Sequence, residues 1–290
     1  MKMITTIKEM KAVVRKSKSQ GKMIGFVPTM GYLHEGHLSL VRKSTQVADV
    51  TVVSIFVNPA QFGPKEDFKE YPRDLNRDTE LLKREGVDYL FYPDSKEMYP
   101  QGYKTYVQVQ DLEEKLCGLS RPGHFRGVCT IVLKLFHIVQ PDFAFFGQKD
   151  AQQGIILRKM VEDLDLDVKI KILSIVREKD GLAMSSRNEY LSSREREAAL
   201  ALHRSLQKAK EMIKAGEKRA EAIMEKTEEI IRKERSVRID YIEIVDLDEL
   251  NPVKMIEKEA LLALAVWVGK TRLIDNMIIQ KNEQGVSFKE

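Results

Sequence analysis

Short apolar runs recur through the first part of the chain, and polar turns and helical patterns of apolar positions separate them. Runs of this kind are typical of strands buried on both faces of a parallel sheet. Because strand and helix alternate, we predict a doubly wound α/β sheet with right-handed crossovers. The predicted strands are Met23–Val27, Val50–Val57, Val87–Tyr92, Phe143–Phe146 and Val168–Val176, with an edge strand at Tyr103–Val109. The predicted helices include Tyr71–Glu85 and Thr130–Val139, the latter after a glycine-rich loop at Arg121–Gly127.

The pattern changes after Arg187. Ser192 and Glu195 have the spacing of a capping box, which predicts the start of the first of two helices. The predicted strands that follow are Val237–Val245, Ala260–Val268 and Thr271–Ile279, the last two joined by a Gly269-Lys270 hairpin turn. We expect Trp267 to pack either in the core or in the hairpin. We therefore predict a Rossmann-like domain over residues 1–176 and a smaller C-terminal α+β domain over residues 177–290.

The stretch Pro28–Val41 has the order strand, glycine turn, helix, in which a phosphate binds at the helix N-terminus. His34 and His37 are three residues apart and share one helix face, so both can point at one anion. Gly36 between them lets a ligand approach the backbone. Such a pair can also be surface decoration or half of a metal site. The sequence nearby holds no cysteine or third histidine to complete a zinc site, which favours a nucleotide.

Further polar clusters follow the other predicted strands. They are Asn58 and Gln61, then Lys149, Asp150 and Gln153, and finally Ser185, Ser186 and Arg187. All lie beyond the carboxyl ends of strands, where open α/β sheets bind their ligands. We expect these clusters and the histidine pair to form one site.

Composition narrows the possible functions. Hydrophobic residues make up 43% and charged residues 32% of the 290 residues, which describes a folded globular chain. Cys117 and Cys129 give no disulfide framework and indicate a reducing cytoplasm. The sequence has neither a signal-peptide pattern nor an apolar run long enough to span a membrane. The net charge of +4 comes from interleaved basic and acidic residues, which argues against a nucleic-acid partner.

Five stretches carry a resemblance to a known family. His34-Glu35-Gly36-His37 resembles the His-x-Gly-His element of nucleotidylyl transferases and class I aminoacyl-tRNA synthetases, and Ala183–Arg187 resembles their mobile Lys-Met-Ser-Lys-Ser loop. Ser186 and Arg187 stand where that superfamily has lysines. The full set of stretches, in this order, resembles the pantothenate synthetase (pantoate–β-alanine ligase) family. The stretches are Pro28–His37, Phe56–Phe62, Gly123–Val128, Phe146–Gln153 and Met184–Leu191.

This resemblance implies an ATP-dependent ligase that joins pantoate to β-alanine through a pantoyl-adenylate, with Mg²⁺ accompanying ATP and a homodimeric state. It implies an ATP site made of Met30, Gly31, Tyr32, Leu33, His34, Glu35, Gly36, His37, Gly147, Gln148, Lys149, Asp150, Val176, Met184, Ser185, Ser186 and Arg187. It implies that Gln61 and Gln153 bind pantoate, and that Gln61 and Asn58 bind β-alanine. The sequence around Asn76–Asp78 shows no metal-ligand pattern, so we assign no protein ligand to Mg²⁺.

The expected roles follow from charge. His34, His37, Lys149, Arg187, Ser185 and Ser186 are expected to stabilise charge on the departing pyrophosphate, with His37 as proton or hydrogen-bond donor. Backbone groups of Met30 and Gly147 and the region of Val176 are expected to frame the adenine and ribose. Asp150 either accepts a ribose hydroxyl or is an exposed carboxylate at a helix N-terminus. His124 and Arg126 either belong to a lid or are simply solvated.

Two other functions stay open at this stage. The same loops could form a nucleotide-binding regulator without turnover, or a nucleotidylyl transferase acting on another small, phosphorylated acceptor. The uncharged amide pair Gln61 and Gln153 suits a hydroxylated acid better than a phosphate, because an amide both donates and accepts hydrogen bonds. We further expect the C-terminal domain to close as a lid about Arg177–Arg187.

Overall fold

The computed structural model describes residues 1–64, 66–282 and 285–290, and it divides the chain into two compact units. The first unit comprises residues 1–114, 121–147 and 152–173, and the second comprises residues 115–120, 148–151 and 174–290. Unlike the expected continuous domains 1–176 and 177–290, these units include two short segments, 115–120 and 148–151, that group with the C-terminal part. The second of these segments carries Lys149 and Asp150.

The first unit is built on a six-stranded parallel sheet. Its strands are β1 (Lys2–Ile4), β2 (Ile24–Thr29), β3 (Val50–Ile55), β4 (Tyr89–Phe91), β5 (Phe143–Gly147) and β6 (Lys169–Leu173), in the order β1-β4-β3-β2-β5-β6. Its helices are α1 (Ile7–Ser19), α2 (Glu35–Val47), α3 (Leu75–Arg84), α4 (Ser95–Met98), α6 (His124–Val139) and α7 (Ala151–Asp163), and α5 (Cys117–Ser120) groups with the second unit. The predicted Rossmann-like fold class is confirmed.

Burial explains why the apolar runs form the central strands. Every residue of β3 is buried, as is nearly every residue of β2, so both faces of these strands are covered. Val27, Val53 and Phe145 share one core cluster with Leu40 and Val41 of α2. The helix that carries the histidine pair is therefore fixed to the middle of the sheet by its apolar face.

Two predictions for this unit were wrong, and one strand was missed. Tyr103–Val109 pairs with no described strand. Side-chain contacts take the place of a ladder there: the Val107 N–H donates to the Thr130 hydroxyl at 2.9 Å, and the Tyr103 and Tyr106 rings meet edge to face. The predicted loop Arg121–Gly127 already contains the first turn of α6, because Gly123 caps this helix in the left-handed conformation, with φ of 78°. The short edge strand β1 was not predicted.

The second unit packs two helices against a four-stranded antiparallel sheet. Its helices are α8 (Ser193–Lys214) and α9 (Ala220–Arg232), and its strands are β7 (Val237–Val245), β8 (Ala260–Val268), β9 (Thr271–Asn282) and β10 (Gly285–Lys289), in the order β10-β9-β8-β7. The capping box of Ser192 and Glu195 and the hairpin turn at Gly269 are confirmed, with Gly269 at φ of 57°. Trp267 lies in the hairpin with the Arg238 guanidinium over its ring. The strand β10 was not predicted.

Among the described residues, no helix combines the length and apolar character that crossing a membrane requires.

Candidate functional site

The histidine pair stands at the switch point of the sheet. Strand β2 has β3 on one side and β5 on the other, so the strand order reverses beside it, and α2 begins just beyond its carboxyl end. His34 is the N-cap of α2, and its Nδ1 accepts the Gly36 N–H at 3.2 Å. The His34 N–H donates to Nδ1 of His37 at 3.3 Å, and the two ring centroids are 4.1 Å apart.

This hydrogen bonding fixes the tautomer of both rings. A ring nitrogen that accepts an N–H cannot carry a proton, so each neutral imidazole holds its proton on Nε2. The two Nε2–H groups are donors at a helix N-terminus, whose partial positive charge also favours an anion. The predicted arrangement of His34 and His37 on one helix face is therefore present in the structure.

A buried carboxylate that the sequence analysis missed holds the turn before α2. Gly31 and Tyr32 both have positive φ, 82° and 50°. Asp78, which is only 1% exposed, accepts the N–H of Tyr32 at 2.7 Å and that of Leu33 at 2.8 Å. Burial raises the pKa of Asp78, while these two N–H groups and the Arg77 guanidinium oppose the shift.

The contacts of Asp78 change what can be expected of Tyr32 and Leu33 in the ATP site. The backbone N–H groups of Tyr32 and Leu33 already bind its carboxylate, so any nucleotide contact at these residues would use other atoms. Their assignment to ATP stays a prediction. A sequence signal was available: Asp78 shares the inward face of α3 with Leu82, and a carboxylate in a buried row needs a partner. Glu35, expected in the ATP site, forms an ion pair with Arg42.

A second cluster in the first unit fixes the orientation of Gln61. The Tyr99 hydroxyl donates to Oδ1 of Asn58 at 2.7 Å, so the Nδ2 group of Asn58 is left to donate to Oε1 of Gln61 at 3.1 Å. The Gln61 Nε2 group then faces the Met30 sulfur at 3.0 Å. Asn58 is 1% exposed. In the structure, Asn58 therefore holds the Gln61 side chain in place. Direct contact between Asn58 and β-alanine stays a prediction.

The backbone of Gln61 is held as firmly as its side chain. The His124 ring bonds the Gln61 carbonyl at 2.8 Å, and Arg121 donates to the same oxygen at 3.3 Å. A Cβ on Gly127 would overlap the backbone carbonyl of Ala60 and lie 2.7 Å from the Gln61 Cα, so only glycine lets α6 approach this closely. Of the two alternatives for His124, simple solvation is therefore wrong, because the ring supports Gln61.

Gly147 and Gln153 are the other expected residues of the first unit. Gly147 ends β5, and no described heavy atom outside its chain neighbours lies within 4 Å of where its Cβ would be. That open space leaves its backbone accessible to a ligand. Gln153 is half-buried in the first turn of α7. Gly147 is the last residue of β5 and Gln153 follows this strand, which is next to β2 in the sheet.

In the second unit, Lys149 and Asp150 lie in a short 3-10 turn, Gln148–Asp150. The Lys149 ammonium is 4.0 Å from the Asp150 carboxylate, and Asp150 is half exposed. Both readings of Asp150 remain open, because an exposed carboxylate before α7 also suits the helix dipole. Gln148 is fully buried, so its expected contact with ATP would have to use the backbone.

The loop that carries the serine pair begins as a small hairpin. Arg177 and Ala183 form an antiparallel bridge, and the Met184 N–H donates to the Val176 carbonyl at 3.0 Å. Val176 and Met184 are thus neighbours, as a shared adenine-binding role requires. The Ser185 hydroxyl accepts the Arg187 N–H at 3.3 Å, which turns the chain into a short 3-10 helix.

The expected site residues therefore form two groups, each described on its own unit. The first unit carries Met30, Gly31, Tyr32, Leu33, His34, Glu35, Gly36, His37, Asn58, Gln61, Gly147 and Gln153, and the second carries Gln148, Lys149, Asp150, Val176, Met184, Ser185, Ser186 and Arg187. Among the described residues, no group of three or more His, Cys, Asp or Glu side chains is arranged to hold a metal ion.

Comparison with known proteins gives a consistent result. The family model for pantoate-beta-alanine ligase matches residues 2–278. The pantothenate synthetase of Caldicellulosiruptor saccharolyticus is 57% identical over 280 residues, which are 97% of this chain and 100% of that protein. That of Fervidobacterium nodosum is 58% identical over 279 residues, 96% of this chain and 99% of that protein.

Solved structures agree. The fold matches pantothenate synthetase from Thermus thermophilus with a TM-score of 0.91 and 44% identity, covering 95% of this chain and 98% of that one. It also matches pantoate-beta-alanine ligase from Francisella tularensis, solved in complex with beta-gamma ATP and beta-alanine, with a TM-score of 0.78 and 35% identity, covering 95% and 97%. Sequence and fold together show that this chain belongs to the pantoate-beta-alanine ligase family.

Proposed function

We propose that this enzyme condenses pantoate with β-alanine to form pantothenate, using ATP and passing through a pantoyl-adenylate. The pantoate carboxylate attacks the α-phosphorus of ATP, and the bond from that phosphorus to the bridging oxygen breaks, so pyrophosphate leaves with the electron pair. The β-alanine amine then attacks the acyl carbon, AMP leaves, and the nitrogen loses a proton as the amide forms. Adenylation is needed because a free carboxylate would have to expel oxide.

The observation that carries the proposal is the pair of imidazoles at the N-terminus of α2. Their Nδ1 atoms are committed to the backbone, so their Nε2–H groups form a preorganised pair of donors at the switch point of the sheet. Donors that need no reorganisation are worth about 3 kcal/mol each when aimed at charge that develops in the transition state. In the proposal, the Nε2–H group of His37 donates a hydrogen bond to the departing phosphate, because a neutral imidazole whose Nδ1 accepts a backbone N–H has no second proton to give up.

The second unit contributes the fixed positive charges. Lys149 and Arg187, with the hydroxyls of Ser185 and Ser186, bind the phosphates, and Asp150 accepts a ribose hydroxyl. Backbone groups of Met30, Gly147 and Val176 frame the adenine and ribose. The open space at Gly147 supports this assignment. The Francisella relative was solved in complex with beta-gamma ATP and beta-alanine, which supports ATP as a substrate. Phosphoryl transfer depends mainly on such positioning and charge.

Recognition of the acid is assigned to Gln61 and Gln153, and recognition of the amine to Gln61 and Asn58. The Tyr99–Asn58 chain presents Gln61 with a defined amide orientation, and the second hydrogen of its Nε2 group can donate to a hydroxyl of pantoate. A site built to hydrogen-bond hydroxyls rejects acids that lack them, because its own polar groups would be left unpaired.

The remaining parts of the proposal concern Mg²⁺, the location and assembly of the enzyme, and closure of the site. Mg²⁺ would arrive bound to the phosphate oxygens of ATP, where its charge offsets theirs, and we assign no side chain to it. We expect a cytoplasmic homodimer. We also expect the second unit to close as a lid that carries Arg177–Arg187 as its arm, and to exclude water from the acyl-adenylate.

The test supplies the wild-type protein with ATP, Mg²⁺, β-alanine and one of several acids, and identifies the products by mass spectrometry. The acids are pantoate, 3,3-dimethylbutanoate, which lacks both hydroxyls, and a phosphorylated acceptor. The proposal predicts that AMP and an amide form when the acid is pantoate, and that neither forms with the other two compounds. Formation of ADP would contradict the adenylate. Transfer of AMP to the phosphorylated acceptor would indicate a nucleotidylyl transferase, and ATP binding without any product would indicate a regulator.

A further inference from the structure

Two neighbouring polar residues interrupt the apolar middle of β9. Asp275 and Asn276 are only 2% and 3% exposed, and neither belongs to the set of residues assigned to a substrate above. Successive side chains of a strand point to opposite faces of its sheet. The side of Asp275 is the side of Leu273 and Met277, which pack in the core formed with α8 and α9. Two buried polar groups in one strand need hydrogen-bonding partners. Each has its partners on a segment that carries residues assigned to ATP.

Asn276 holds the backbone of the segment that carries Lys149. Its Nδ2 group donates to the Gln148 carbonyl at 2.9 Å and to the Lys149 carbonyl at 3.0 Å. Its Oδ1 accepts a hydrogen bond from the Gln148 side chain at 3.2 Å. All three of these bonds of the Asn276 amide thus end on a turn of only three residues.

Asp275 holds the start of the loop that carries Arg187. Its carboxylate forms a two-pronged ion pair with Arg177, at 2.7 Å and 3.1 Å. The same guanidinium donates to the Gly181 carbonyl at 3.1 Å, which fixes the turn of the hairpin that leads to Met184 and Ser185. Gly181 has φ of 97°, and a Cβ there would collide with the His203 ring, so the turn fits tightly against α8.

We propose that Asp275 and Asn276 form a positioning pair that sets the places of Lys149 and Arg187 relative to each other. The two cations lie on separate segments of the chain, and two adjacent residues of one rigid strand fasten both. Lys149 and the Ser185–Arg187 loop then move as one body with the C-terminal sheet. This inference rests on the proposed function, because it assigns both cations to the same triphosphate.

The test is a double-mutant cycle on the dissociation constant of a non-hydrolysable ATP analogue, measured by calorimetry. Asn276→Ala should weaken binding about tenfold, because a displaced Lys149 ammonium loses part of a charge-assisted hydrogen bond to a phosphate. In a Lys149→Ala background the same substitution should have almost no further effect, because its route to the ligand is gone. The effects of Asn276→Ala and His37→Ala should instead multiply. Asp275→Asn should likewise weaken binding in the wild type and have almost no further effect in an Arg187→Ala background.

Thr227→Val is the matched control. The Thr227 hydroxyl is also buried and donates to the Ile223 carbonyl within α9, so its loss removes a buried hydrogen bond from an element that carries neither segment. Its dissociation constant should equal that of the wild type. Because calorimetry also reports the fraction of competent protein, partial unfolding of Asn276→Ala does not hide the result. Asn276→Ser, which keeps one donor, should fall between alanine and the wild type.

The outcomes separate this inference from the proposed function. The positioning pair is contradicted if the effects of Asn276→Ala and Lys149→Ala on the dissociation constant multiply, or if Asn276→Ala binds the analogue like the wild type. Either result holds even when the wild type makes pantothenate. A wild type that binds ATP but makes no pantothenate would overturn the proposed function, while the cycle would still decide the inference. A wild type that binds no ATP would overturn both.

Discussion

The N-terminus of α2 and the segments that carry Lys149 and Arg187 are assigned to the same triphosphate, yet their backbones are held by different means. In the first unit a regular helix supplies the order, and one carboxylate, Asp78, fixes the turn before it. In the second unit the cations lie on short turns, and side chains of β9 and the Arg177 guanidinium fasten them. A helix end presents donors by its own geometry, whereas an irregular segment needs dedicated partners.

The largest effect should come from the second unit. In the double variant Ser186→Ala/Arg187→Ala, pyrophosphate formation loses two kinds of donor and should slow by 10²-fold or more, since one such donor is worth about 10²–10³. Amide formation from pre-made pantoyl-adenylate should change much less, because that step handles no pyrophosphate. Rapid-quench measurement of each half-reaction gives the comparison.

The matched control is Ser193→Ala/Arg194→Ala, an exposed Ser-Arg pair at the start of α8, which should leave both half-reactions unchanged. Equal damage to both half-reactions in the Ser186/Arg187 variant would remove this loop from the phosphates. The comparison would then no longer be between two phosphate-binding regions, because only the N-terminus of α2 would keep that assignment.

The next effect belongs to the first unit. His37→Ala should lower the adenylation rate by about 10²-fold, the loss expected for one preorganised donor, and should change ATP affinity less. Single-turnover adenylation is the measurement. His137→Ala, which removes an exposed imidazole from α6, is the control and should be neutral. A wild-type rate for His37→Ala would mean that the helix N-terminus takes no part in the chemistry.

A smaller effect tests how the turn before α2 is held. Asp78→Asn keeps the shape but replaces one acceptor with an NH₂ group that faces a backbone N–H. The free energy of unfolding should fall by about 2 kcal/mol, the cost of a buried bond to a charged group. Asp74→Asn on the same helix is the control, because asparagine caps a helix as well as aspartate does. Urea unfolding that shows equal loss in both variants would deny Asp78 its role.

The smallest effect concerns the charged groups around the small hairpin that Arg177 and Ala183 close. Burial, with help from Arg177, lowers the pKa of His203, although the carboxylates of Asp275 and Glu290 oppose this and Lys210 supports it. The native state therefore binds fewer protons than the unfolded chain just below pH 6.5. This contribution to stability is present above that pH and is lost as the pH falls toward the native pKa.

The variant His203→Gln should therefore lose less stability than the wild type between pH 7 and pH 5, which melting temperatures at the two pH values can show. His137→Gln, at an exposed position, should follow the wild type. A wild-type pH dependence in His203→Gln would mean that His203 is protonated equally in both states.

The central strands and the histidine pair could be predicted because their signals are local. An apolar run and a glycine turn before a helix occupy neighbouring residues. The residues that hold the site were missed because their partners are distant: Asp78 is 45 residues from Leu33, and Asn276 is 128 residues from Gln148. Each nevertheless leaves a trace, a polar side chain in an apolar row.

At Tyr103–Val109 the sequence predicted a strand that the structure does not contain. Its alternation of side chains suits a strand, but the pattern cannot tell whether a neighbouring strand offers a ladder. The Thr130 hydroxyl and edge-to-face contacts among three tyrosine rings hold the segment instead. A correct prediction would have required the position of α6, which depends on the close approach that Gly127 permits.

The proposed two-step reaction is tested most directly by pyrophosphate exchange. The wild-type protein is given ATP, Mg²⁺, pantoate and labelled pyrophosphate, without β-alanine, and the label entering ATP is measured. Because the adenylate forms before the amine is needed, the account predicts exchange that requires pantoate and proceeds without β-alanine. Exchange that strictly required β-alanine, or that ran equally well without pantoate, would contradict it.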